Sequence, residues 1–225
     1  MKTIHRLFSL VLGILLALTL FVNQAKAQCD SCSHDIAPYS TAWNICAACP
    51  VEIILPSGCT MYVCYCWRRI PGWPIPTETT VQATITSIDS VGGCASDYTT
   101  QDLLDYVSDG VNNDVIAHLN PNQVPPCSGS YAYQHLELRM PSCMKIDSGS
   151  GNHKHFVGCH NTDSSYCVMK CELCLTGVGI NAHIDRVNCV HNLYGTPDCP
   201  GGTAPTNMRD WTIGTCFQIP CGTGE

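Results

Sequence analysis

Eighteen cysteines lie between Cys29 and Cys221, and none precedes them. An even count at this density points to a disulfide framework built in an oxidising compartment. The N-terminus agrees. Lys2 and Arg6 form a short basic region, and Leu7 to Val22 is almost wholly apolar. Ala25-Lys26-Ala27 then offers small residues at the two positions a signal peptidase reads. This pattern predicts a secretory signal over residues 1–27, cleaved after Ala27. Lys26-Ala27-Gln28 is a poor lipobox, so no lipid anchor is expected on Cys29. Beyond the signal no stretch has the roughly 18 apolar residues of a membrane span.

Removing the signal from the 225 residues leaves 198, expected to form one domain over 28–225. A chain of that length can bury a core unaided. The staples are expected because large aliphatic residues are sparse. The signal carries Lys2, Arg6 and Lys26, so 8 basic residues remain against 18 acidic ones, a net charge of −10. An acidic chain with no basic run excludes nucleic acid and anionic membrane surfaces as natural partners.

Hydrophobic period supplies the expected elements. Val51–Leu55 and Thr60–Arg69 are rich in β-branched and aromatic residues, and Pro56-Ser57-Gly58 supplies turn chemistry between them. They predict a hairpin. In its second strand Tyr62, Cys64, Cys66 and Arg68 share one face, while Met61, Val63, Tyr65 and Trp67 share the other. Thr79–Ile88 and Tyr131–Met140 predict further strands. Between them Leu103, Val107, Val111, Val115 and Leu119 recur every four residues and predict one main helix over about 100–119. Thr99 or Thr100 can cap it and Asp102 suits its first turn. Gly110 and Asn112-Asn113 weaken its middle, and two shorter helices are the alternative. The fold expected is α+β: small antiparallel sheets built of hairpins, one helix, many loops, and disulfide staples.

The richest stretch runs from Cys159 to Cys189. It holds Cys159, Cys167, Cys171, Cys174 and Cys189, with His160 and His183 inside it and His153, His155 and His191 at its flanks. Cys171-x-x-Cys174 resembles half of a zinc ribbon, but the second Cys-x-x-Cys is missing. Zinc needs thiolates, and export oxidises thiols, so disulfides are the stronger expectation. With Tyr166–Leu175 and Ile180–Cys189 paired around Thr176–Gly179, Cys167 would bond Cys189. By the same count Cys49 would bond Cys66 across the first hairpin.

His153, His155, His160, His183 and His191 remain as candidate metal ligands, against a plainer reading as polar loop histidines. Glu172 and Asp185 could meet across the second hairpin, as acids often do on a solvated face. Tyr62, Tyr65, Trp67, Trp73 and Tyr133 could form an aromatic surface for a glycan or protein, or simply pack the sheet. Cys46-Ala47-Ala48-Cys49 lacks the following helix a redox pair needs, because Pro50 and a strand follow it. No nucleophile elbow, phosphate loop or calcium loop is present, and no cofactor is implied. The expected function is therefore that of a secreted structural, adhesive or binding protein, extracellular, periplasmic or at the cell surface, without enzymatic activity. The alternatives are an extracellular metal-binding protein using the histidines, or a hydrolase that the motifs do not reveal.

Overall fold

In a computed structural model, the structure describes residues 44–45, 50–72, 78–90, 94–127, 134–148, 154–159 and 165–222. The expected signal at 1–27 lies outside them, as do Cys49, Trp73, Tyr133, His153 and His160.

The strands are β1 (Asn44–Ile45), β2 (Val51–Ile54), β3 (Thr60–Pro71), β4 (Thr79–Ser90), β5 (Gln134–Pro141), β6 (Cys143–Ser148), β7 (Lys154–Gly158), β8 (Tyr166–Thr176), β9 (His183–Tyr194) and β10 (Phe217–Gln218). One helix of 18 residues, α1, spans Thr100–Ala117. Among the described residues all ten strands join one mixed sheet. β4 is its hub. β3 runs antiparallel along one edge of β4. The other edge is shared: β5 pairs with Thr79–Thr84 and β7 with Ser87–Ser90. Two arms leave that edge, β5–β8–β9 and β7–β6–β10.

The first hairpin forms as its turn residues predict. Gly58 takes φ +81°, and its N–H donates to the Leu55 carbonyl at 2.8 Å. Val51 pairs with Val63. The helix also forms, and in one piece. Thr99 Oγ1 accepts the Asp102 N–H at 3.1 Å and so caps it. Gly110 does not break it, because the Ile53 side chain fills the place of a Cβ: an added Cβ would lie 2.4 Å from Ile53 Cδ1.

The wholly antiparallel expectation is corrected at β4 and β5, which run parallel, with Val81 opposite Leu136. Residues 91–133 carry α1 between them. A chain that crosses back over a sheet face re-enters in its original direction, and hairpin logic does not apply to such a connection. α1 lays Leu103, Val107, Val111 and Val115 on Val63, Tyr65, Val81, Ala83, Leu136 and Leu138, and these residues are all buried in one apolar cluster. This cluster is the core. Tyr65 Oη reaches the Asp114 carboxylate from inside it.

The C-terminal segment after β9 contains few regular elements. Disulfides Cys143–Cys199, Cys159–Cys216 and Cys167–Cys221 tie it to both arms. Trp211 anchors it further, with its ring edge-on to Phe156 and Phe217 and its Nε1–H donating to Thr100 Oγ1 at 3.0 Å. Cys127–Cys174 and Cys171–Cys189 complete five disulfides among the described residues, and Cys59 and Cys66 are disulfide-bonded as well.

The expected Cys167–Cys189 bond is not made. Leu175 pairs with Ile184 rather than Ile180, because six residues, 177–182, turn the chain between Thr176 and His183. The slip moves Cys189 to Cys171, and Cys167 bonds Cys221 instead. A bulge refines the register. Asn188 takes φ +51°, and the pairing steps from Lys170–Val190 to Glu172–Val187. Cys171 therefore lies opposite Asn188 and Cys189, with 4.1 Å between the Cα atoms of the bonded pair. Ile45 lies opposite Cys66.

Candidate functional site

Strand alternation gives the sheet two different faces. On the face away from α1, cross-strand register sets Arg68 beside Gln82, Gln82 beside Glu137, and Glu137 beside Lys170. Four strands thus contribute one polar row. Arg68 Nε donates to Gln82 Oε1 at 2.9 Å, and Gln82 Nε2 donates to Glu137 Oε1 at 2.9 Å. Arg139 Nε reaches the same Glu137 oxygen at 2.6 Å, and Lys170 Nζ lies 3.8 Å from the other. One carboxylate thus gathers several donors. Buried charges need this degree of pairing, since desolvation is costly.

The row changes character along its length. Arg68 is only 2% exposed, whereas Tyr194 at the far end is 38% exposed. There Tyr166 and Tyr194 stack across β8 and β9, with ring centroids 5.6 Å apart and planes 15° apart. The Arg139 guanidinium lies 4.8 Å from the Tyr166 ring centre, and Lys170 Nζ lies 5.2 Å from that of Tyr194. Burial pulls the Lys170 ammonium pKa down, but its hydrogen bond to Tyr194 and the charge of Glu137 outweigh this, so the net shift is upward. Lys170 therefore stays charged. Among the described residues no strand pairs beyond β9, so the platform ends the sheet.

Of the aromatics singled out in the sequence, Tyr62, Tyr65 and Trp67 are among the described residues, and they do not form this platform. Tyr65 is fully buried against α1, and Trp67 points the same way, stacked on His118 at 5.9 Å. Tyr62 lies on the opposite face, because neighbouring strand residues alternate. The pair that does stack was missed because Tyr166 and Tyr194 meet only in the register described above.

The described histidines do not converge. His155 sits on the β7 arm, with Nδ1 2.5 Å from Asp89 Oδ1. That hydrogen bond raises its pKa, against a smaller opposing effect of burial. His183 is exposed at the start of β9 beside Asp185, at 3.3 Å. His191 lies eight residues further along the same strand, about 25 Å away at the usual rise. Among the described residues no group of three or more His, Cys, Asp or Glu side chains is placed to hold a metal ion. Nor do Glu172 and Asp185 pair: Glu172 accepts from Asn188 Nδ2 at 2.7 Å, and Asp185 faces Cys174.

His191 does line a cleft. It lies between α1, strands β8 and β9, and the end of the C-terminal segment, and includes Asp105, Ser108, Met169 and Pro220. No helix of the described residues is long and apolar enough to cross a membrane. Compared with known protein families, curated proteins and solved structures, the chain matches none.

Proposed function

We propose that the chain is exported through its N-terminal signal and acts outside the cytoplasm as a non-enzymatic binding protein. Its ligand surface is the exposed end of the polar row, and its ligand is an acidic glycan. The observation that carries this reading is the Tyr166–Tyr194 stack flanked by Lys170 and Arg139 at the sheet edge. A sugar ring has an apolar C–H face and a polar rim. A tyrosine face bordered by charged donors complements both, and tyrosine offers that area at low entropic cost. A lysine held cationic favours a carboxylate or sulfate on the sugar. In an exported chain of net charge −10, with 8 basic and 18 acidic residues after the signal, such a local excess of cations also selects its ligand against the general field.

The buried part of the row, from Arg68 to Glu137, holds the platform in place rather than touching ligand. The disulfides support an oxidising destination, where the row would otherwise depend on a modest core. The test is an array of neutral and acidic oligosaccharides probed with the native protein, Tyr194→Ala and Lys170→Ala. Acidic oligosaccharides should be retained, and each variant should lose about tenfold in affinity, the scale of one good aromatic or charged contact. Retention of no oligosaccharide, or equal retention by all three proteins, would remove the glycan reading.

A further inference from the structure

The cleft at His191 is separate from the platform. β9 places Tyr194 on the face away from α1 and His191, opposite Met169, on the face beneath it. Its position is built by the disulfide Cys167–Cys221, which brings the C-terminal segment over β8 and β9. Gly222 is required there. Its φ is +74°, and an added Cβ would lie 1.8 Å from His191 Nδ1. The ring is therefore pressed against bare backbone, and Nδ1 lies 3.2 Å from the Cys221 carbonyl. A carbonyl only accepts, so Nδ1 carries the proton and Nε2 keeps its lone pair in the neutral ring.

Asp105 of α1 lines the same cleft. Gln101 Nε2 donates to its Oδ1 at 2.7 Å, which leaves Oδ2 to accept from elsewhere. Among the described residues no lysine or arginine forms an ion pair with it. Asp109, one turn on, differs: Arg186 Nη1 lies 2.9 Å from its Oδ1. Burial raises the Asp105 pKa, and the neighbouring Asp109 and Asp102 charges add to this, against hydrogen bonding from Gln101 and the influence of His191. The carboxylate thus sits in a site that rewards a cation. Leu104, Met140, Ile219 and Pro220 supply apolar walls. The cleft is open on one side, with Asp105 exposed at its rim, and its volume of about 30 Å³ has room for about two water molecules.

We propose that this cleft is a second binding site, which takes the ammonium head of a small primary amine or lysine side chain. Asp105 supplies the counter-charge, and His191 Nε2 and Ser108 Oγ supply acceptors. The methylene stem lies against the apolar walls. An ammonium has three donors and no acceptor, which matches a site whose free polar atoms mostly accept. A compact ammonium head fits this space. The selection follows concave shape with few convergent polar groups.

The test is titration of the intact, oxidised protein with n-butylammonium, N-acetyl-lysine methylamide and n-butanol at neutral pH, followed by amide chemical shifts. Shifts centred on Gln101, Asp105, His191 and Cys221 with either ammonium, and none there with n-butanol, are expected. Asp105→Asn should weaken binding at least tenfold, whereas Asp109→Asn, which removes a charge already paired with Arg186, should weaken it only a few-fold, with both variants shown folded by their amide spectra. Equal response to both ammonium probes would mean that the head alone is read. Response to the lysine derivative only would point to a protein-borne lysine. Binding of n-butanol as tight as the amine, an unaltered titration of Asp105→Asn, or no saturable shift at the cleft would overturn the proposal. Tyr194→Ala should leave this titration intact, so failure here and failure of the platform are told apart.

Discussion

Leu136 and Glu137 are neighbours on β5, yet they belong to two regions built on opposite physics. Leu136 is fully buried beneath α1 among aliphatic side chains. Glu137 is 6% exposed on the other face, gathering Gln82, Arg139 and Lys170. The first face is held by removal of apolar surface from water, which tolerates imprecise partners. The second depends on every buried charge finding its partner, so its geometry is specific and a single deletion is severe. The lesson is a division of labour. The α1 face supplies stability, and the polar face positions a platform.

Glu137→Ala should have the largest effect. It leaves the guanidinium and ammonium groups of the row short of their shared carboxylate and should cost about 3–5 kcal/mol. Leu136→Ala should cost a comparable 2–5 kcal/mol by opening a cavity. Denaturant unfolding of the oxidised proteins separates the two mechanisms. Glu137→Gln, which keeps the shape and removes the charge, should still be destabilised, whereas Leu136→Met should be nearly neutral. If Glu137→Gln matches the native protein, the row is not the charged network described here.

Replacing Cys171 and Cys189 together by serine should come next. This bond spans 18 residues of sequence, and a loop of that order contributes about 3 kcal/mol in the chain-entropy model. It also fixes the bulge that sets Tyr166 opposite Tyr194. The double variant should therefore lose the proposed glycan binding as well as stability, unlike Leu136→Ala, which should lose stability alone. Thr99→Ala, which removes the helix cap, should cost only about 1 kcal/mol and leave the platform untouched.

The smallest effect concerns pH. His155 has a folded pKa above 6.5, chiefly through its hydrogen bond with Asp89. A raised folded value means that its contribution is full below the unfolded value and is lost as pH rises through the folded one. Stability of the native protein relative to His155→Gln should therefore shrink on going from pH 6 towards pH 8. A constant difference across that range would show that the Asp89 contact does not hold the proton.

Much of the α1 face was legible in the sequence, and little of the polar face was. The stripe Leu103, Val107, Val111, Val115 declares a helix because its spacing is local, and Pro56-Ser57-Gly58 declares a turn for the same reason. The parallel pairing of β4 with β5 is not local: the partners are brought together by a helical crossover, and nothing in either strand encodes that choice. β6 and β7 were missed because they are short and carry weak alternation. The second hairpin was placed but misregistered. Its connection is six residues, and its bulge rests on Asn188 in the left-handed region, where glycine would have given a clearer signal. A slip of four residues was enough to exchange the partners of Cys167 and Cys189 and to hide the Tyr166–Tyr194 stack.

The division between a stabilising face and a proposed binding end is tested most directly by side-chain and amide chemical shifts of the oxidised protein, titrated with an oligogalacturonate. Saturable shifts concentrated on Tyr166, Lys170 and Tyr194, needing about tenfold more ligand in Tyr194→Ala at unchanged unfolding midpoint, are the predicted result. Saturable shifts confined to other surfaces, or shifts that persist unaltered in Tyr194→Ala, would contradict it.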